Sequence, residues 1–466
     1  MRSSLRAAGV VSLLAGVTGA IQVDFTNDDS VKEATSTVAF GLLKYYTGNN
    51  TGDVPGNLPD PYFWWEAGAM FGTLVDYWFY TGDETYNDVT IQAMQHQAGE
   101  DSDFMPQNQT RTLGNDDQGF WAMAAMSAAE NNFPNPPADQ PQWLALVQAV
   151  FNEYVSRWDA DTCGGGLRWQ IFTFNNGFNY KNSISNGCFF NIASRLARYT
   201  GNQTYADWAE KVWDWMEEVK FIDGDFNIYD GAGADNNCAN INKAQWTYNA
   251  GIFLQGTAMM YNFTDGNDTW KQRTDGMVKR TVEYFFDDGI VVERPCESFN
   301  LCDYDQQSFK GYLMRWMASA SQLAPFTFDT LMPLVKSSAT AAAQQCSGTP
   351  TAEQSKGQPA FGGPAGTACG FKWTAKANFD GLVGVGEQMS ALSALQYTLV
   401  KKQTVRAPVT ADTGGTSVGN VNAGRPVEDY MPMMTEITTG EKVAAGFMTT
   451  AIAFSVLGGS FFVMKA

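Results

Sequence analysis

The sequence predicts an all-α protein built as a ring of six helix pairs, and three observations lead there. Segments rich in Ala, Gly and Met alternate with amphipathic ones through most of the chain, a short motif recurs at their junctions, and the connections are long on one side only. Positions 64–80 and 118–129 are apolar almost all round, as helices buried on every side are. Positions 205–219 instead place Trp208, Val212, Trp215, Met216 and Val219 on one stripe, with Glu210, Lys211, Asp214 and Glu218 opposite. That is the pattern of an outer helix covering an inner one.

Taken in order, outer helices are expected near 31–47, 84–98, 140–158, 204–220, 268–286 and 328–345. Inner ones are expected near 64–80, 116–130, 184–200, 246–262, 304–322 and 378–398. The repeated motif supports this register. Tyr80-Thr81-Gly82-Asp83-Glu84-Thr85-Tyr86 matches Tyr199-Thr200-Gly201-Asn202-Gln203-Thr204-Tyr205, and Thr264-Asp265-Gly266-Asn267-Asp268-Thr269-Trp270 is a looser copy. In each copy Gly can end the inner helix in a left-handed cap, while Thr or Asp opens the outer one. Inner-to-outer connections are then short. Those from outer to inner, at 48–63, 99–115, 159–183, 221–245, 287–303 and 346–377, are longer and gather at the N-terminal ends of the inner helices. A site carried by loops on a rigid scaffold belongs on that face.

Both ends read as signals. Residues 1–20 carry Arg2 and Arg6, then the apolar run 10–15, then small residues up to Ala20, as a secretory signal does. The folded domain is expected over 21–402. A Thr- and Gly-rich stalk and attachment region follows over 403–442, and a hydrophobic tail over 443–466, uncharged from Val443 to Met464. Small residues, a polar spacer and an apolar tail together read as a glycosylphosphatidylinositol signal, with Asn420, Asn422 and Gly424 as candidate attachment positions. A plain transmembrane anchor is the competing reading. The end signals therefore point to the outer face of the plasma membrane.

The sequons at Asn49, Asn108, Asn202, Asn262 and Asn267 fit a glycosylated surface. Seven cysteines in an oxidising compartment should pair, with Cys296/Cys302 and Cys346/Cys369 favoured by their short loops and at least one thiol left over. No Cys or His spacing suggests a metal, and no cofactor is expected. His96 is the only histidine and reads as structural, which excludes mechanisms built on a catalytic His. A net charge of −19 excludes nucleic acid and leaves a neutral ligand such as a sugar easier to reconcile.

The chemistry concentrates at Asn115-Asp116-Asp117-Gln118-Gly119-Phe120-Trp121. Two neighbouring carboxyls under an aromatic wall can split a glycosidic bond, one ionised as nucleophile and one protonated as acid. The helix N-terminus should favour the carboxylate of one, and its like-charged neighbour should then tend to hold a proton. Adjacent residues also suit the shorter carboxyl separation of retention better than that of inversion. Taken alone, an acidic helix cap explains the doublet better, since Asp28-Asp29 and Asp287-Asp288 show that the chain makes such pairs elsewhere. Position on the long-loop face shifts the balance. So do sugar-binding residue types at the other inner-helix mouths: Trp64, Trp65 and Glu66; Tyr180, Lys181, Asn182 and Asn186; Trp246, Tyr248 and Asn249; Gln307 and Lys310. Asn115 completes this candidate set.

With these residues assembled, the chain resembles glycoside hydrolase family 76, in particular its fungal mannan endo-1,6-α-mannosidases of the Dcw and Dfg type. The resemblance rests on Gly114-Asn115-Asp116-Asp117-Gln118-Gly119-Phe120-Trp121, with Trp65-Glu66-Ala67-Gly68, Trp246-Thr247-Tyr248-Asn249-Ala250-Gly251 and Phe309-Lys310-Gly311. It implies an (α/α)6 barrel, in agreement with the six pairs counted above. It also implies retaining chemistry on α-1,6-mannose linkages, with Asp116 as nucleophile and Asp117 as acid/base. For the fungal group it further implies a monomeric enzyme held at the membrane by its lipid anchor, with the cell wall as a further expected location. Such an enzyme would take α-mannan or the glycan of a lipid anchor as donor and cell-wall glucan as a candidate acceptor, linking mannoproteins into the wall. A non-catalytic mannan-binding wall protein is the alternative from another class.

Overall fold

The computed structural model describes residues 20–375, 379–402 and 408–425, with isolated positions between 440 and 449. Among the described residues, twelve α-helices alternate between two layers. The outer ones are α1 (Asp28–Leu43), α3 (Asn87–Gln97), α5 (Trp143–Arg157), α7 (Gln203–Glu218), α9 (Asp268–Phe285) and α11 (Phe328–Gln345). The inner ones are α2 (Trp64–Thr81), α4 (Asn115–Glu130), α6 (Ser183–Thr200), α8 (Thr247–Phe263), α10 (Phe309–Leu323) and α12 (Val385–Gln396). Each inner helix packs on the next, α2 on α4 through to α10 on α12, and α12 returns to α2, which closes the ring. The fold is the expected (α/α)6 barrel.

Close packing of the inner ring needs small residues where helices meet. A β-carbon at Gly311 would lie 2.8 Å from the backbone of Ser390, and one at Gly119 would lie 2.6 Å from Cys188 Cβ. Cys188 is the one unpaired thiol among the described residues. Cys296–Cys302 and Cys346–Cys369 pair as expected, and a third bridge joins Cys163 to Cys238, 75 residues apart.

The junction motif folds nearly as predicted. Gly82 and Gly201 end α2 and α6 in the left-handed conformation. The openings differ, however: α3 opens at Tyr86 without a side-chain cap, and sequon asparagines rather than Thr or Asp cap α7 and α9. Asn202 accepts from Thr204 N–H and Asn267 from Thr269 and Trp270 N–H. All five sequon asparagines are exposed. Helix α12 begins later than expected, because Asp380 gathers the N–H groups of Phe371, Lys372 and Leu382 into a loop ahead of it. The other two acidic doublets are structural. Asp28-Asp29 opens α1 behind the cap Asn27, and Asp287 pairs with Arg294 at 2.6 Å on a surface turn.

The polypeptide divides into two compact units, Met1–Gly424 and Arg425–Ala466. In the first, residues 408–424 depart from the expected stalk and lie along the barrel as a strap. Val409 N–H donates to Glu130 O (2.7 Å) and Arg198 to Pro408 O (2.8 Å), while Asn132 reaches Gly414 O (2.9 Å). Leu144 N–H donates to Ser417 Oγ (3.0 Å), and Asn152 Nδ2 donates to the carbonyls of Val421 (3.0 Å) and Ala423 (2.7 Å). The small residues of this stretch allow the close approach, and side-chain amides satisfy its backbone. The leader over 1–19 and the tail from 450 onward lie outside the described residues. Among the described residues no helix is long and apolar enough to cross a membrane.

Candidate active site

The N-terminal ends of the inner helices form the open mouth of the barrel, as the loop lengths predict. Helix α4 begins there against a bridge between Gly114 and Gln170, with Asn115 N–H donating to Trp169 O at 2.8 Å. Position 114 must be glycine, because a β-carbon would lie 2.4 Å from Asp116 Oδ1. Asp116 and Asp117 occupy the first turn of α4 and line a cavity of about 230 Å³. Its walls are Trp65, Phe120, Trp169, Tyr180, Ile184, Tyr248 and Phe309, and its other polar groups are Asn182, Asp230 and Asp305. Tyr248 and Phe309 stack nearly parallel, 3.8 Å apart. A second cavity of about 510 Å³ adjoins the first and shares Trp65, Asp117, Trp169 and Asp305 with it. Asp116 borders only the first of these two cavities; Asp117 borders both.

Each carboxyl of the pair is held differently. Asp117 Oδ2 accepts Gly114 N–H at 2.6 Å, so it caps its own helix. Asp116 Oδ1 accepts Asp117 N–H (3.1 Å), and Oδ2 faces Asn182 Nδ2 at 3.4 Å. Burial pushes both carboxyls up, Asp117 to about 6 and Asp116 well above its ordinary value, where the charge of Asp117 adds to the effect. The sequence expects the helix N-terminus to favour one carboxylate and the like charge to hold a proton on its neighbour; in the structure burial is the larger cause, and it acts on both. Loss of water outweighs the amide hydrogen bonds and shifts the pair toward its protonated form.

The remaining predicted residues divide between wall and support. Trp65, Tyr180, Asn182 and Tyr248 line the first cavity, and Trp64 the second. Others are corrected to supporting positions beneath the surface. Lys181 is fully buried and donates to the carbonyls of Asp159 (2.9 Å), Thr162 (2.7 Å) and Gly165 (2.6 Å), clamping the α5–α6 connection. Asn186 exchanges hydrogen bonds with the backbone of Leu167, and Asn115 Nδ2 donates to Arg168 O. Lys310, fully buried, pairs with Glu297 at 3.0 Å, and Gln307 holds Cys302 O. Trp246 faces Asp230 through its indole N–H (3.1 Å). Glu66 and Asn249 are completely buried in the inner ring.

Asp230, Trp169, Phe120, Ile184 and Phe309 carried no expected binding role, whereas Asp305 stood in the fifth mouth cluster, Asp305-Gln306-Gln307-Ser308. Asp230 accepts from Tyr180 OH (2.7 Å), Trp246 and Asn242, and burial raises its carboxyl despite them. It immediately precedes the middle strand of a three-stranded sheet formed by β1 (Tyr180–Asn182), β2 (Gly231–Gly233) and β3 (Ile241–Asn242), which joins the α5–α6 and α7–α8 connections. Asp305 accepts from Trp65 Nε1 (3.1 Å) and is pushed up to about 7 by burial and then by the charges of Asp303 and Asp117. The signal for Asp230 was an acid in an outer-to-inner connection, and for Asp305 its place within the mouth cluster of the fifth inner helix.

Two predictions arise here. Lys181→Met leaves three carbonyls without their donor, while Asp159 keeps Arg168 at 2.8 Å, and is expected to cost about 3 kcal/mol, read as a lowered Tm. Glu153, Glu293 and Glu387 are each raised to about 8 by burial. Such groups favour the folded state fully below the unfolded carboxyl value near 4.3, and their contribution is lost as pH rises through the folded value. Tm is therefore expected to be higher at pH 5 than at pH 8, by on the order of 5 °C, with a flat profile as the contrary result.

Residues 30–412 match glycosyl hydrolase family 76. The chain belongs to that family. It is 48% identical over 442 residues to mannan endo-1,6-alpha-mannosidase DCW1 of Saccharomyces cerevisiae, covering 94% of each chain. It is 42% identical over 447 residues to DFG5 of the same yeast, covering 95% of this chain and 94% of that one. Among solved family 76 structures, Dfg5 from Chaetomium thermophilum, crystallised with glucosamine, superposes with a TM-score of 0.81 at 45% identity, covering 88% of this chain and 98% of that one. An inactive variant of the alpha-1,6-mannanase GH76A of Salegentibacter sp. HEL1_6, in complex with alpha-1,6-mannotriose, shares the fold with a TM-score of 0.60 at 18% identity, covering 79% and 99%.

Proposed function

We propose that this family 76 enzyme cleaves α-1,6-mannosidic bonds with retention of configuration, acting on mannan or a lipid-anchor glycan. The observation that carries the reading is the Asp116-Asp117 pair at the floor of an aromatic-walled cavity, in a chain nearly half identical to a yeast enzyme of that name. Trp65, Trp169 and Tyr248 suit the apolar faces of a pyranose, and the polar edges of Asn182, Asp230 and Asp305 suit its hydroxyls.

In the first step Asp116 attacks the anomeric carbon as its bond to the leaving oxygen breaks, and Asp117 gives that oxygen its proton. In the second, an incoming hydroxyl attacks the same carbon, Asp117 takes its proton, and the ester to Asp116 breaks. Asp117 borders both cavities, which suits a group exchanging protons with the leaving and entering oxygens. The protein alone disfavours charge on Asp116. Positive charge developing at the anomeric carbon favours it there, so the carboxylate is stabilised most in the transition state. Water as acceptor gives hydrolysis; a glucan hydroxyl gives transfer to the wall.

The secretory leader and apolar tail support a protein tethered at the outer face of the membrane. Proton NMR of an α-1,6-mannoside digest tests the mechanism: α-mannose should appear first and mutarotate later. First appearance of the β anomer would mean inversion and exclude a covalent role for Asp116.

A further inference from the structure

We propose that the catalytic mouth docks onto a lipid bilayer through apolar loop tips, so that the enzyme works on glycans rooted in that membrane; this rests on the membrane-tethered reading above. Large apolar side chains stand in water at three places around the mouth. Phe63 is 54% exposed on the α1–α2 connection, Phe174 66% on α5–α6, and Phe299 and Leu301 68% and 72% on α9–α10. These connections alternate around the ring of six, so the tips surround the cleft instead of forming one patch. Among the described residues, the connections of the closed face expose one such side chain, Phe326, at 37%. Apolar tips arrayed around an opening suit an extended planar surface better than a globular partner.

Charge agrees. The chain as a whole is −19, yet residues 169–178 carry no charged side chain. In the Cys296–Cys302 loop the single acid, Glu297, is buried against Lys310. Phe172 and Phe174 stack at 5.4 Å, giving the α5–α6 tip a paired aromatic edge without hydroxyl or N–H groups to read a sugar. The surface expected from this charge is zwitterionic lipid, because anionic lipid would repel the rest of the molecule.

The strap rises from the closed face partway toward that side, and its last residue, Gly424, packs against Ala149 midway along α5. It leaves the closed face and climbs α5, meeting Leu144, then Gln148, then Asn152. That is a rise of about 12 Å, leaving about 8 Å to the helix end at Arg157. There Ser156, Arg157 and Trp158 share a cavity with Ile171 and Phe178 at the base of the α5–α6 tip. Eighteen residues separate Gly424 from the uncharged stretch that starts at Val443. So short a link between the strap and an apolar tail keeps the barrel close to the bilayer that receives the tail or its lipid replacement, where the loop tips are its apolar contacts.

The test uses the full chain reconstituted in phosphatidylcholine vesicles. Single cysteines replacing Phe174, Phe299 or Phe326 carry a fluorophore, and spin-labelled lipid is the quencher. Labels at 174 and 299 should be quenched severalfold more than the label at 326. Equal quenching at all three, or none at 174 and 299, overturns the proposal. In parallel, the triple variant Phe174→Ser, Phe299→Ser, Leu301→Ser should turn over a soluble α-1,6-mannotrioside as wild type does, yet lose at least tenfold on a lipid-linked mannoside in the same vesicles. Equal loss on both substrates overturns it, as does lost binding to insoluble mannan with quenching unchanged, which would make the tips a glycan platform. Wild-type inactivity on both substrates would instead contradict the proposed reaction, while the quenching comparison still decides the docking.

Discussion

Replacing Asp116 with Ala is expected to abolish turnover of an α-1,6-mannoside, by at least roughly 10⁴-fold, with Tm nearly unchanged. The carboxyl is the group placed to form the covalent intermediate, and its hydrogen bonds to Asn182 and the Asp117 amide contribute little to the fold. Asp117→Ala should lose less, about 10²–10⁴-fold, and the loss should depend on the leaving group. A dinitrophenyl mannoside, which departs without protonation, should restore the first step and leave intermediate breakdown limiting. Asp117→Ala also removes the cap on Gly114 N–H, so about 1 kcal/mol of stability should go with it. Asp117→Asn separates the two effects. Its side-chain oxygen can still accept that N–H, so stability should return while activity does not.

The second large effect lies at the other end of α4. Arg195 and Glu130 are 3% and 4% exposed and pair at 2.6 Å; the guanidinium also donates to Ser127 Oγ and Met123 O. This cluster joins α4 to α6 at the closed face, directly below the catalytic turn. Glu130 O also receives the strap through Val409 N–H. Arg195→Ala leaves a buried carboxylate unpaired and should destabilise by about 3–5 kcal/mol, measured as a lower denaturation midpoint in urea. Arg195→Ala with Glu130→Ala together should recover part of that loss, because the penalty belongs to the orphaned charge.

Periodicity made the barrel legible, and the same property explains what it hid. Helix α4 was locatable because its apolar residues run all round, and the mouth because every long connection fell on one side. Asp230 and Trp169 sit in those connections, where no period marks which side chain points inward. Lys181, Lys310, Asn186 and Glu66 show the complementary difficulty. A polar residue at a helix mouth can face the cleft or hold a loop from beneath, and their burial places them beneath. Short spacing pointed to two disulfides, whereas Cys163–Cys238 joins two loops brought together by the ring itself. The strap was hidden by its composition. Thr, Gly and Val read as a stalk until Asn132, Gln148 and Asn152 supply partners for its backbone.

The central claim is the division of labour between Asp116 and Asp117, and azide tests it most directly. In Asp116→Ala, azide can stand where the carboxylate stood, and the product should be the β-mannosyl azide. In Asp117→Ala, azide should attack the intermediate from the opposite side without needing base catalysis and give the α-mannosyl azide. The configuration of each product is read by NMR. The reverse assignment would exchange the two roles, and wild-type turnover in either variant without azide would contradict the account.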